Sequence, residues 1–125
     1  MTLCLGVLFA VLRIGLRSRK NRLAGRPPDV GLIRLHLRLA KPAVLFTMLG
    51  FVGGGLSSSL FRNWVLLESF HGILGLIVVG AFATTAILGR RAERGEGDPG
   101  IHGLFGLLAM LGASLAAVAG FVLLP

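Results

Sequence analysis

IHGLFGLLAMLGASLAAVAGFVLL, residues 101–124, is the stretch whose reading decides the fold. It has no charged side chain, and at about 1.5 Å per residue it is long enough to cross the ~30 Å hydrocarbon core of a bilayer as a helix. Its apolar residues do not alternate with polar ones, so a helix is expected rather than a strand of a membrane barrel. Water is excluded as the solvent for such a segment by the rest of the chain. With 125 residues, 54% hydrophobic and only 14% charged, and a mean hydropathy of +0.85, the protein has too little polar surface to hide it in a soluble core. One domain is the most that this length allows.

Working outward, three more apolar runs are expected to span. The first covers Met1 to about Leu16; it is short, is interrupted by Arg13 and has no positive stretch before it, so it does not read as a cleavable signal peptide. The second runs from about Leu35 to Leu56, entered through Arg34, Arg38 and Lys41, with Pro42 near its start. Gly53-Gly54-Gly55 reads as a breaker at its end and Ser57-Ser58-Ser59 as a turn. No Gly-Lys-Ser/Thr follows the glycines, so they are not a phosphate loop. The third runs from Trp64, an interfacial aromatic, to Leu88, and the charged, glycine-rich loop Gly89 to Gly100 leads to the fourth, Ile101 to Leu124. The expected architecture is an all-α integral membrane four-helix bundle.

The formal charge of +8 is distributed in a way that argues against nucleic-acid binding. If the four spans alternate, every Lys and Arg except Arg62 falls on one face, including the run Arg17 to Arg26 between the first two spans. That asymmetry is the positive-inside signal and attracts anionic lipid. It puts the basic loops in the cytoplasm of a bacterial inner membrane, or in the stroma of a thylakoid, with both termini opposite. Cys4 is the only cysteine, which excludes an intrachain disulfide and a cysteine-rich metal site. No nucleophile-plus-base constellation stands out.

Three histidines remain as candidates for chemistry, because an imidazole near hydrocarbon needs a partner or a metal. His71 and His102 open the similar phrases His71-Gly72-Ile73-Leu74-Gly75-Leu76 and His102-Gly103-Leu104-Phe105-Gly106-Leu107. At 100° per residue, His36 heads a strip of Leu39, Ala43, Gly50 and Gly54. His102 heads Gly106, Ala109, Ala113, Ala116 and Gly120, and His71 shares a face with Glu68, Gly75, Val78 and Phe82. Each strip is the kind that faces another helix. Spans two and four run the same way, so His36 and His102 reach one depth, whereas His71 lies toward the other face. A six-coordinate haem needs two such histidines on facing helices. His36 and His102 are therefore the candidate metal ligands, with Arg34, Arg38, Arg90 and Arg91 near enough to neutralise haem propionates. Glu68, three residues before His71, is expected to accept from the His71 ring N–H. The competing reading is that each histidine bonds a headgroup or a backbone carbonyl and each small-residue strip serves packing alone.

Arg34-Leu35-His36, Gly50 with Gly53-Gly54, Ser69-Phe70-His71-Gly72 and Ile101-His102 together resemble an uncharacterised four-helix membrane domain family of cyanobacteria and plastids. That family is similar to the four-helix core of cytochrome b561. The resemblance covers about residues 30 to 125, and its motifs are short. Family members often carry an additional His-Pro in the first span, where this chain offers Cys4, Gly6 and Arg13 and no histidine. The resemblance thus implies a paired-histidine site at His36 and His102 only.

The expectation that follows is a small membrane protein binding one b-type haem and taking part in transmembrane electron transfer. A second reading is a non-catalytic subunit or assembly factor of a larger complex, such as a photosynthetic one. Its histidines would then hold chlorophyll, which needs one axial ligand and suits the solitary His71. A third has no cofactor. All three imply the lipid bilayer and either other membrane subunits or a homo-oligomer as partners. The topology is directly measurable: a reporter after Pro125 or before Met1 is expected outside the cytoplasm, and one in the Gly95 to Gly100 loop inside. Finding the C-terminus and that loop on one side would overturn the four-span arrangement.

Overall fold

The computed structural model describes residues 2–62 and 69–122. They form four helices, α1 (Thr2–Leu23), α2 (Val30–Arg62), α3 (Phe70–Glu93) and α4 (Pro99–Val122), and no strand occurs among the described residues. Each helix packs on two others, α1 on α2, α2 on α3, α3 on α4 and α4 on α1, so α2 and α4 face each other diagonally across a ring. Short connectors make successive helices antiparallel.

The two hairpins are built to one plan. At the end of α1, Gly25 takes a positive φ of 67°, its N–H bonds Arg22 O at 3.0 Å and Arg26 N–H bonds Asn21 O at 3.0 Å. At the end of α3, Gly95 has φ 76°, its N–H bonds Ala92 O at 3.2 Å and Glu96 N–H bonds Arg91 O at 2.9 Å. Both are glycine-terminated Schellman caps, which need the left-handed conformation that glycine adopts without strain. Each connector then ends on an aspartate that starts the next helix: Asp29 Oδ1 accepts from Leu32 N–H at 3.0 Å, and Asp98 Oδ1 from Gly100 N–H at 2.6 Å. A single exposed ion pair, Lys41 Nζ to Glu93 Oε1 at 3.2 Å, bridges α2 and α3 at this end among the described residues.

Side chains are distributed in the reverse of a soluble protein. The interior is assembled from Leu8 and Val11 of α1, Ala43 of α2, Val78, Phe82 and Thr85 of α3, and Ala109, Met110, Ala113 and Ala116 of α4. Large residues such as Phe46, Leu49, Ile77, Leu108, Leu111 and Leu115 point outward. Such a belt suits a lipid-facing surface, and small residues inside let backbones approach where water supplies no driving force. α2, α3 and α4 are each long and apolar enough to cross a membrane, consistent with a membrane location. α1 does not meet that measure, because Arg13, Arg17, Arg19, Lys20 and Arg22 all lie on it.

Several boundaries differ from the sequence reading, for local reasons. α2 starts at its Asp29 cap and continues to Arg62, so Gly53 to Gly55 and Ser57 to Ser59 are helical rather than a breaker and a turn. Ser58 Oγ donates back to Gly55 O at 3.0 Å, which satisfies the hydroxyl without leaving the helix. Pro42 accordingly lies inside the helix, where its missing N–H removes the bond to Arg38 O. α1 continues past Leu16 to Leu23, since no breaker precedes Gly25. Ser69 caps α3, accepting from Gly72 N–H at 3.0 Å, so His71 lies in the first turn and not two turns into a span. Trp64 and Glu68 lie outside the described residues.

The strip expected on α4 faces inward as read, with Ala109 fully buried, Ala113 and Ala116 buried, and Leu115 on the outside at 63% exposure. The strip on α2 is half right: Ala43 is buried, but Gly50 and Gly54 are exposed and Gly55 is buried instead. The contact face turns because the second half of α2 packs on α3, where Phe51 lies against Gly75. Replacing Ala113 by Leu is expected to destabilise the bundle by about 1–3 kcal/mol through overpacking, and Leu115→Val to leave thermal unfolding in detergent nearly unchanged. Equal sensitivity at both positions would refute the face assignment.

Candidate functional site

The end of the bundle that carries the connectors 24–29 and 94–98 also gathers two imidazoles. His36 lies near the start of α2 and His102 near the start of α4, and both face the centre of the ring. Their ring centroids are 6.1 Å apart with the planes at 88°. α2 and α4 do not pack on each other, so these side chains bridge the diagonal.

Each ring is anchored by one nitrogen. His36 Nδ1 lies 3.2 Å from Val11 O of α1, and His102 Nδ1 lies 3.0 Å from Thr85 O of α3. A carbonyl oxygen can only accept, so both Nδ1 atoms carry the proton and donate, and in the neutral ring Nε2 keeps its lone pair. The hydroxyl of Thr85 does not compete, because its Oγ1 donates to Ala81 O at 2.8 Å. The carbonyl bond expected of an unligated histidine is therefore present, and it occupies only the nitrogen that a metal ligand leaves for its supporting hydrogen bond. Each ring also lies over a glycine: Gly15 of α1 beneath His36 and Gly89 of α3 beneath His102.

Among the described residues, no group of three or more His, Cys, Asp or Glu side chains is placed to hold a metal ion. A pair of imidazoles is too few for a protein-held zinc, which takes three or four protein ligands. Two histidines would, however, suffice to hold a metal that a tetrapyrrole already carries. Two imidazoles bound through Nε2 at ~2.0 Å to one ion have ring centres roughly 6 Å apart, close to the separation seen here. The ligand type and the separation of the ring centres are those that two histidines on one haem iron would show. Two cavities are defined elsewhere, one of about 260 Å³ lined by Phe51, Val52, Gly55, Leu56 and Ser59, and one of about 170 Å³ beside Arg22 and Arg26. Neither is lined by a histidine.

The remaining candidates are distributed as follows. Arg34, Arg38, Arg90 and Arg91 are exposed at the same end as the pair. His71 sits at the opposite end, about 21 Å from Thr85 along α3 at 1.5 Å per residue. Its ring packs on Gly120 of α4, and its Nδ1 is buried without a hydrogen-bond partner among the described residues. Glu68, the expected partner, is not among those residues. Cys4 is half-buried between α1 and α2, with Sγ 3.4 Å from Thr47 Oγ1. The residues that sequence reading missed are Val11, Gly15, Thr85 and Gly89. A glycine four residues after an inward-facing residue, on the helix next to a histidine, is the signal that marks them. The chain matches no protein-family model, no curated protein and no solved structure.

Proposed function

We propose that this chain is a small integral membrane protein that binds one b-type haem between His36 and His102 and takes part in transmembrane electron transfer. The observation that carries the reading is the pair itself. Two imidazoles from diagonal helices meet at one depth, each with Nδ1 on a backbone carbonyl and Nε2 available. Bound there, haem supplies a one-electron change at iron. His36 and His102 would hold it through Nε2, and the carbonyl bonds at Nδ1 would orient both rings. Arg34, Arg38 and Arg90, exposed at that end, offer cations for the propionates. The basic end faces the cytoplasm or stroma by the positive-inside rule, and the surrounding bilayer and neighbouring membrane subunits are its partners. The second reading, a subunit holding chlorophyll within a larger assembly such as a photosynthetic one, is favoured by one feature alone: His71 is solitary at its level.

Absorption spectra of the detergent-purified protein, oxidised and reduced, test this directly. The haem reading expects a low-spin bis-histidine spectrum that His36→Ala and His102→Ala each abolish, since one axial ligand cannot maintain that geometry. His71→Ala is expected to leave it nearly intact. Chlorophyll bands, with each histidine removing at most its own pigment, would replace the haem reading by the second one. A colourless protein would leave neither standing, and a haem lost with His71→Ala but kept with His102→Ala would move the site to the other end of α3.

A further inference from the structure

Gly15 and Gly89 do something that helix stability alone does not ask of them. Glycine in a helix interior is less favourable than alanine by roughly 0.5–1 kcal/mol. Yet α1 places one glycine, and α3 another, directly against an imidazole from the next helix. An ideal Cβ at Gly89 would lie 3.0 Å from Cε1 and 3.2 Å from Nδ1 of His102; one at Gly15 would lie 3.3 Å from Cε1 and 3.6 Å from Nδ1 of His36.

The carbonyl that each ring uses stands four residues earlier on the same helix, Val11 before Gly15 and Thr85 before Gly89. The two positions are connected by helix geometry. A helical Cβ tilts toward the N-terminus, so the side chain at one position covers the turn that precedes it. Omitting the Cβ uncovers the carbonyl one turn back, whose second lone pair is free for a donor from outside the helix. His71 gives an internal contrast. It too lies over a glycine, with an ideal Cβ at Gly120 2.8 Å from its Cε1, but its Nδ1 has no carbonyl among the described residues. A glycine under a ring is therefore common to all three histidines, while the glycine-plus-carbonyl unit is found at the pair.

We infer that Gly15 and Gly89 are positioning residues for the paired site: by leaving the Val11 and Thr85 carbonyls open, they hold His36 and His102 with Nδ1 protonated and Nε2 presented as the ligand atom. This rests on the haem reading for its consequence, but the tautomer it asserts belongs to the protein without any cofactor.

Two measurements test it on Gly15→Ala and Gly89→Ala, with Gly80→Ala as the control, since a Cβ at Gly80 meets nothing within 4 Å. The first is ¹⁵N NMR of the imidazoles in the purified, haem-free chain. Wild type is expected to show His36 and His102 as the Nδ1-protonated tautomer. Each variant should release only its own histidine to the ordinary mixture, and Gly80→Ala should release neither. The second, on protein reconstituted with haem, is the affinity for haem, the midpoint potential and the low-spin EPR signal. Loss of a supporting hydrogen bond predicts about 10–100-fold weaker binding, with a shifted potential and altered g values. Gly89→Ala should act more strongly than Gly15→Ala, because its contact is the closer one. An unchanged tautomer in both glycine variants, or a wild type in which Nε2 holds the proton, overturns the inference. A fixed tautomer in a wild type that takes up no haem leaves the positioning intact and removes the haem reading instead.

Discussion

In a helical bundle that crosses a membrane, a polar group has to find its partner within the protein. Much of this structure follows from that constraint. The hydroxyls of Thr47, Thr84, Thr85 and Ser114 donate to carbonyls four residues back, at 2.8–2.9 Å, and so travel with their own helices. An imidazole is too large and too rigid to fold back in that way, and His36 and His102 reach a neighbouring helix instead. The helix that receives each ring carries a glycine against it, which ties the choice of residue on α1 and α3 to the histidine on α2 and α4.

The same constraint shapes the packing. With lipid outside, excluding large apolar side chains from the core costs little, and close approach of backbones becomes the main source of attraction. α4 shows this most plainly: its inner face is Ala109, Ala113 and Ala116, while Leu108, Leu111 and Leu115 face out. Gly112 admits Val78, at 3.0 Å from an ideal Cβ, and Gly106 admits the methyl of Thr85, at 3.6 Å. These contacts hold α3 and α4 at the separation from which His102 can reach Thr85 O. Site and scaffold are one set of contacts here. An exposed ion pair such as Lys41 with Glu93 adds at most about 1 kcal/mol and does not set that geometry.

The sequence made legible whatever depends on long apolar runs and on helical periodicity. The four helices, the inward face of α4 and the shared end of His36 and His102 are all of this kind. What it concealed depends on neighbours. Gly53 to Gly55 and Ser57 to Ser59 look like punctuation in isolation, yet they continue α2, whose second half packs on α3 through Phe51 against Gly75. Gly50 and Gly54 match the inner angle of α2 at its start, but both are exposed and Gly55 is buried in their place. His71 reads as deep only if the span begins at Trp64; the Ser69 cap puts it at a helix start. Gly15 and Gly89 could not be assigned from their own helices, since their meaning lies in a ring that another helix brings.

The position of the pair limits how a cofactor there would work. It lies at the end where the two connectors, Arg34, Arg38, Arg90 and Arg91 are found, and His71 stands about 21 Å away along α3. Under the proposed reading, electron exchange at the basic face is direct, whereas the opposite face needs a further carrier. The described residues of this chain offer only one imidazole at that level, and α1 holds Cys4 rather than a histidine toward its start. A route across the membrane would therefore be completed by a neighbouring subunit packed on the exposed belt, and the same bundle without such a neighbour would exchange electrons on one side only.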